Sequence, residues 1–296
     1  MKTVISASRR TDIPAFYMDW FMSGIQKGCF EVVNPYRRNM FLVPATTADV
    51  HSIVFWSKNF GDFIAGKYGQ KLEADGYHLL FTFTLNSELT LLEPGLPPLA
   101  ERLAQLEYLC RHHDPRSVHW RFDPICFYRT ENADIEDNLK DFRAIAEKAA
   151  TLGVTRCITS FMDMYPKIKK RQARQPAVAF VDISLEKKKR TLSDMCAILE
   201  PLGISLQTCC ERELMDQIGD DLPVIQGACI PNDLLMDLYG GRVSLGKDSG
   251  QRIKAGCACM KSVDIGSYDR QPCYHNCLYC YANPVAGIRH ATHRQG

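Results

Sequence analysis

Apolar residues in the first two-thirds of the chain follow two rhythms. Short runs at Thr3 to Ala7, Ser52 to Trp56, Leu79 to Thr84, Val118 to Phe122, Thr155 to Ser160 and Ile204 to Thr208 are rich in Val, Ile, Phe, Leu or Thr and read as strands. Helical spacing predicts helices near Ala15 to Gln26, Asp62 to Glu73, Pro98 to Arg111, Asp134 to Thr151 and Leu185 to Leu199. Leu99, Leu103, Leu106, Leu109 and Cys110 recur at that spacing, as do Leu139, Phe142, Ile145 and Ala149. Strands alternating with helices imply a parallel sheet with right-handed crossovers. Near-continuous apolar strands imply burial on both faces. Six such units favour a TIM-like partial (β/α)6 barrel over residues 1–208. Residues 209–296 then form a cysteine-rich C-terminal segment closing over the barrel mouth.

Polar side chains gather after each strand. They include Arg9, Arg10 and Asp12 after the first, Lys58 after the second and Asn86 after the third. Arg121 and Asp123 end the fourth, Asp163 follows the fifth, and Cys209-Cys210-Glu211 follow the sixth. In barrel enzymes that rim carries the active site. Asp12 and Asp163 also suit helix caps. Arg121 lies inside a strand, where a guanidinium needs a partner or a ligand anion. Trp56 and Trp120 read as core first and ring-stacking surfaces second.

The chain has 296 residues, 46% hydrophobic and 24% charged, with a formal net charge of +2. That is ordinary globular composition, and the total charge selects no partner. No stretch approaches the ~18 apolar residues of a membrane helix. The N-terminal apolar run breaks at Arg9-Arg10, too short for a secretory signal. The expectation is a cytoplasmic protein in a reducing compartment. No GxGxxG or GxxxxGK[ST] occurs, which disfavours those nucleotide sites. Two stretches are basic: Lys167, Lys169, Lys170, Arg171, Arg174, Lys187, Lys188, Lys189 and Arg190, and the chain from Arg242 onward. They read as solvated faces first and as a polyanion or nucleic-acid surface second.

The 13 cysteines change the picture most. Clustered thiols in a reducing compartment mean metal or redox chemistry. Cys29, Cys110, Cys126, Cys157 and Cys196 are scattered among apolar neighbours and read as small buried hydrophobes. The other eight lie between Cys209 and Cys280. Cys273, Cys277 and Cys280 make a C-x3-C-x2-C motif. Three soft thiolates hold three irons of a [4Fe–4S] cube and leave the fourth open for chemistry. Zinc fits this spacing less well. Cys210 (or Cys209), Cys229, Cys257 and Cys259 supply four more thiolates, enough for a second closed cluster or a zinc site.

The motif, with Tyr279 before its last cysteine, resembles that of the radical S-adenosylmethionine (SAM) superfamily, in its spore photoproduct lyase-related branch. The whole chain resembles the family called domain of unknown function 1848. That likeness includes Ser6 to Pro14, Val54 to Asn59, Trp120 to Ile125, Cys257-Ala-Cys259, Ser262 to Tyr268 and the three-cysteine motif. In radical SAM proteins the motif usually follows the first strand, whereas here it follows all six. The cluster must therefore return over the barrel mouth from the far end of the chain. The resemblance implies SAM on the open iron, reductive cleavage to a 5′-deoxyadenosyl radical, and an electron donor such as flavodoxin or ferredoxin. It implies Arg9, Arg10, Lys58 and Arg121 as clamps for SAM's carboxylate or for a small-molecule or polyanionic substrate, with Asp123 and Asp163 orienting groups. Two other classes stay open: a zinc-stabilised hydrolase or lyase using the Arg/Asp rim, and a non-enzymatic iron–sulfur protein that senses redox state or binds nucleic acid.

Overall fold

Each of the six apolar runs becomes a strand in the computed structural model, which describes residues 1–34, 38–130, 134–173 and 177–282. They are β1 (Thr3–Ala7), β2 (Val50–Ser57), β3 (His78–Thr84), β4 (Val118–Ile125), β5 (Arg156–Phe161) and β6 (Ser205–Thr208). Two further short strands come from the C-terminal segment, β7 (Val224–Gln226) and β8 (Val263–Asp264). All eight form one parallel sheet in the order β7-β6-β5-β4-β3-β2-β1-β8. Neighbours follow chain order from β1 to β7, and β8 returns to the free edge of β1. Among the described residues no pairing joins β7 to β8, so the sheet is open rather than a closed barrel.

Parallel strands need cover on both faces. Alternation along the strands sends one set of side chains to each side. Ile5, Ile53, Phe55, Leu79, Phe81, Phe83 and Cys157 join the larger core with the helices. Val4, Val54, Trp56, Leu80 and Ile158 face the other way, onto Cys229, Ile230, Leu235, Val243, Cys257 and Cys259. The cysteine-rich segment is therefore the second cover of the sheet.

The helices match their expected places with instructive shifts. The first breaks at Tyr17 into Ile13–Phe16 and Met18–Lys27. The second breaks at Gly66 and Lys67 into Gly61–Ala65 and Tyr68–Ala74. Leu99–His112 and Leu185–Leu199 form as expected. The helix expected from Asp134 starts only at Phe142. Upstream, Glu136–Asp137 pairs antiparallel with Phe127–Arg129, and buried Asn138 bonds the Cys126 N–H (2.9 Å) and the Pro124 carbonyl (3.0 Å). Those tertiary contacts override helical spacing. Among the described residues no helix is long and apolar enough to cross a membrane.

The core is aromatic on the helical side. Phe81 packs on Phe55, Phe60 and Phe63, with ring centroids 5.7 to 6.1 Å apart, and is fully buried. Phe81→Ala is expected to cost about 3–5 kcal/mol in urea unfolding, with an unchanged denaturant slope. A loss below about 1 kcal/mol would place the stabilising core elsewhere.

Candidate metal centres at the strand ends

Because the strands are parallel, their C-terminal ends lie on one edge, and the polar residues expected there are brought together. Asp12 caps the helix Ile13–Phe16 by accepting from the Ala15 N–H (3.0 Å). It also accepts from the Ser57 hydroxyl (2.7 and 2.9 Å), the Lys58 N–H (2.9 Å) and His275 Nε2 (2.8 Å). One carboxylate thus joins the ends of β1 and β2 to the loop between Cys273 and Cys277.

Lys58 lies at the centre of a second knot. Its Nζ donates to Glu93 Oε1 (2.7 Å) and Tyr279 Oη (2.9 Å). Tyr279 donates to Glu93 as well. Asn86 Nδ2 donates to Tyr279 Oη (3.0 Å), and Asn86 Oδ1 accepts from the Asp123 N–H (2.9 Å). Burial opposes the Lys58 charge, but nearby Glu93, then Cys277 and Asp123, hold its pKa above the ordinary value. Burial pushes Glu93 up, but Lys58, the Tyr279 bond and Arg102 hold it below the usual carboxylate range.

The Lys58 ammonium favours ionisation of Cys273, Cys277 and Cys280 alike, against burial that raises all three thiols. Arg171 donates to the carbonyls of Cys277 (3.0 Å), Leu278 (3.1 Å) and Cys280. Gly95 donates to the His275 carbonyl (3.0 Å). A Cβ at Gly95 would meet the carbonyl oxygens of Tyr274 and His275 at 2.6 and 2.7 Å, so only glycine admits this approach.

The other five cysteines meet on the second face of the sheet. The sulfurs of Cys209, Cys210 and Cys257 all lie within 4.8 Å of one another, a group that could hold a metal ion. Among the described residues, Cys273, Cys277 and Cys280 are not drawn within that limit. Cys209 and Cys210 sulfurs are 3.5 Å apart. The left-handed backbone at Cys210 (φ 64°) turns two adjacent side chains toward one point, which an extended strand would not do. Cys229 neighbours Cys209 and Cys259, and Cys257 neighbours Cys209, Cys210 and Cys259. Both Cys209 and Cys210 thus belong to the cluster, where spacing alone left one over. Every cysteine is a free thiol. Of the five scattered ones, Cys110, Cys126, Cys157 and Cys196 are buried as expected, while Cys29 is half-exposed.

The expected anion clamps are engaged within the protein. Arg9 lies beside Asp248 (3.8 Å), Ser262 (3.3 Å) and Cys259. Arg10 Nη1 donates to the Gly266 carbonyl (2.8 Å). Arg121 pairs with Asp123 (2.5 Å), which also accepts from Ser160 (2.5 Å). Arg9 and Arg121 each stand 5.1 Å from the Trp56 ring centroid. Arg9 Nη2 and Arg121 Nε are buried without a hydrogen-bond partner among the described residues. Trp120 is wholly core, its indole N–H on the Leu85 carbonyl (3.0 Å). Asp163 is half-exposed, pairs with Arg252 and caps no helix: Tyr165 is the N-cap of Pro166–Gln172.

In the first basic stretch, Arg171 is committed to the motif, and Lys187 and Lys188 lie over the rings of Phe127 and Phe161. Arg174 and the basic stretch beyond residue 282 lie outside the described residues. Glu93 and Gly95 carry the site without having signalled it, while Tyr279 and Asp264 stood in the stretches that carry the family likeness with no role assigned to them. Glu93 stands in Leu92-Glu93-Pro94-Gly95, which reads as an ordinary turn.

Fold and site together define an α/β protein with an eight-stranded parallel sheet and two groups of cysteines at one end of it. A family model described as a domain of unknown function (DUF1848) matches residues 4–282, and the chain belongs to that family. No match is found among the curated proteins.

Glu93→Gln would leave the Lys58 charge buried without its carboxylate, and is expected to cost about 3–5 kcal/mol. Lys58→Met with Glu93→Gln should recover part of that loss. The depressed carboxylate contributes stability above its unfolded pKa of about 4.3, lost as pH falls through the folded value. Urea unfolding of wild type should therefore show an acid-side loss that the double variant lacks. Equal acid dependence in both would remove the pair from the stability of the site. Gly95→Ala should displace the motif loop and lower the melting temperature. An unchanged melting temperature would show that the close approach is dispensable.

Proposed function

We propose that this protein is an iron–sulfur enzyme of the radical SAM type, with Cys273, Cys277 and Cys280 as ligands of one [4Fe–4S] cluster. The observation that carries the reading is that the C-x3-C-x2-C segment is docked on the strand ends, with His275 on Asp12 (2.8 Å) and Tyr279 on Lys58 (2.9 Å). The donor set fits. Each thiolate of a cubane binds a different iron, so its ligands stand wider apart than those of a single ion. Three thiolates leave a fourth position open. When bound, such a cluster supplies one electron to SAM, whose methionine end fills that position.

The chain's own residues prepare the seat. Lys58 offsets thiolate charge, and Glu93, Asn86 and Tyr279 hold Lys58 in place. The Asp12–His275 bond and the Arg171 contacts fix the backbone that carries the three cysteines. Burial of this knot excludes water from it. Arg9 and Arg121, each with an unsatisfied N–H beside Trp56, favour an anionic small molecule or the SAM carboxylate. The uninterrupted strand order from β1 to β7 supports the partial-barrel reading, because a doubly wound sheet reverses order at a switch point. A reducing cytoplasm suits the free thiols, and a flavodoxin or ferredoxin would serve as donor.

Anaerobically purified and reconstituted protein should carry about four irons and four sulfides per chain at this site. After reduction, SAM should shift its electron paramagnetic resonance signal, and Cys277→Ala should abolish both. A colourless, iron-free protein after reconstitution would overturn the reading.

A further inference from the structure

We propose that the five-cysteine group is a zinc–thiolate site, separate from the three-cysteine motif, that fastens the C-terminal segment to the end of the sheet. Cys209, Cys210 and Cys257 are three of its ligands, and the contacting pair Cys229 and Cys259 supplies the fourth. The argument rests on spacing. A tetrahedral ion with metal–sulfur bonds near 2.3 Å sets its thiolates ~3.8 Å apart. Cys209 and Cys210 stand at 3.5 Å, and both lie with Cys257 inside 4.8 Å. A cubane would push these sulfurs apart, one to each iron. The tight group therefore suits one thiophilic ion.

Charge and topology agree. A tetrathiolate zinc site carries two net negative charges, which need cations nearby. Three guanidinium groups stand there, each shared with a carboxylate: Arg9 beside Cys259 and Asp248, Arg121 beside Cys229, Cys209 and Asp123, and Arg252 beside Cys210 and Asp163. The ligands come from the end of β6 and the loop before β8, and, where Cys229 is the fourth, also from the loop before helix Asn232–Tyr239. One ion would join these segments. Cys259 is followed by Asp264, which accepts from Ser6 of the first strand, and then by the motif. The site would thus hold in place the segment that delivers Cys273, Cys277 and Cys280. It would be closed, with no position left for chemistry. Binding releases the thiol protons to solvent and makes affinity pH-dependent.

The test is metal content of the full chain from zinc-replete cells. About one zinc per chain is expected in wild type and equally in the Cys273→Ala/Cys277→Ala/Cys280→Ala variant. Cys257→Ser should fall below about a tenth of that, while Cys196→Ser, on the buried face of helix Leu185–Leu199 and in the other core, keeps its zinc. If Cys257→Ser fails to fold, Co²⁺ titration of metal-stripped wild type decides. A thiolate-to-cobalt charge-transfer band with tetrahedral visible absorption supports the site, and octahedral cobalt overturns it. Zinc lost in the Cys273/Cys277/Cys280 variant also overturns it. So do about eight irons per chain that Cys257→Ser halves, which would make the group a second cluster. Iron in the three-cysteine motif is read separately in the same samples, so either assignment can fail alone.

Discussion

Asp264 is the fastener on which the C-terminal third depends. Its carboxylate accepts from the hydroxyls of Ser6 (3.0 Å) and Ser8 (2.6 Å) and from the N–H groups of Arg9 (2.8 Å) and Gly266 (3.1 Å). Four donors on one nearly buried carboxylate stabilise a two-residue strand that backbone pairing alone would hold weakly. With β8 seated beside β1, the chain on either side is delivered to the same end of the sheet. Cys257 and Cys259 arrive before it, and Cys273, Cys277 and Cys280 after it.

The two cysteine groups then differ in a physically meaningful way. The first sits on the second face of the sheet among Val54, Trp56 and Ile158, with sulfurs crowded near van der Waals contact. The second sits at the strand ends, its sulfurs not drawn within 4.8 Å of one another among the described residues. Crowded thiols repel when ionised, so such a group is stable only if protonated or bound to a cation. Spread thiols leave room for a larger inorganic body. The same residue type thus stands in two geometries, and Trp56, flanked by Arg9 and Arg121, adjoins the first.

Buried charge at the strand ends is paired almost everywhere. Lys58 has Glu93, Arg121 has Asp123 and Arg9 has Asp248. Isolated buried charges would cost several kcal/mol each, so these pairs are a condition of placing cations beside thiols at all. Arg9 Nη2 and Arg121 Nε, without hydrogen-bond partners among the described residues, are the part of that arrangement that could meet a ligand.

Much of the fold was legible because hydrophobic pattern is a local property. Six apolar runs became six strands, and their parallel arrangement followed from the helices between them. β7 and β8 were not legible: two or three residues carry too little pattern, and only pairing with a long neighbour makes them strands. Of the site, the cysteine spacing and the strand-end positions of Asp12, Lys58, Asn86 and Asp123 could be read directly. Their roles could not. Asp12 latches His275, and Asp163 pairs with Arg252. Glu93 was invisible, since an acid in a turn is ordinarily solvated and only Lys58, 35 positions away, makes it a buried counter-ion. The chain by itself determined the six principal strands, most of the helices and which side chains could bind metal, because those follow from side-chain period and chemistry. The tertiary structure decided which sulfurs share a point and which share only a field, because those distances depend on contacts between residues far apart in sequence.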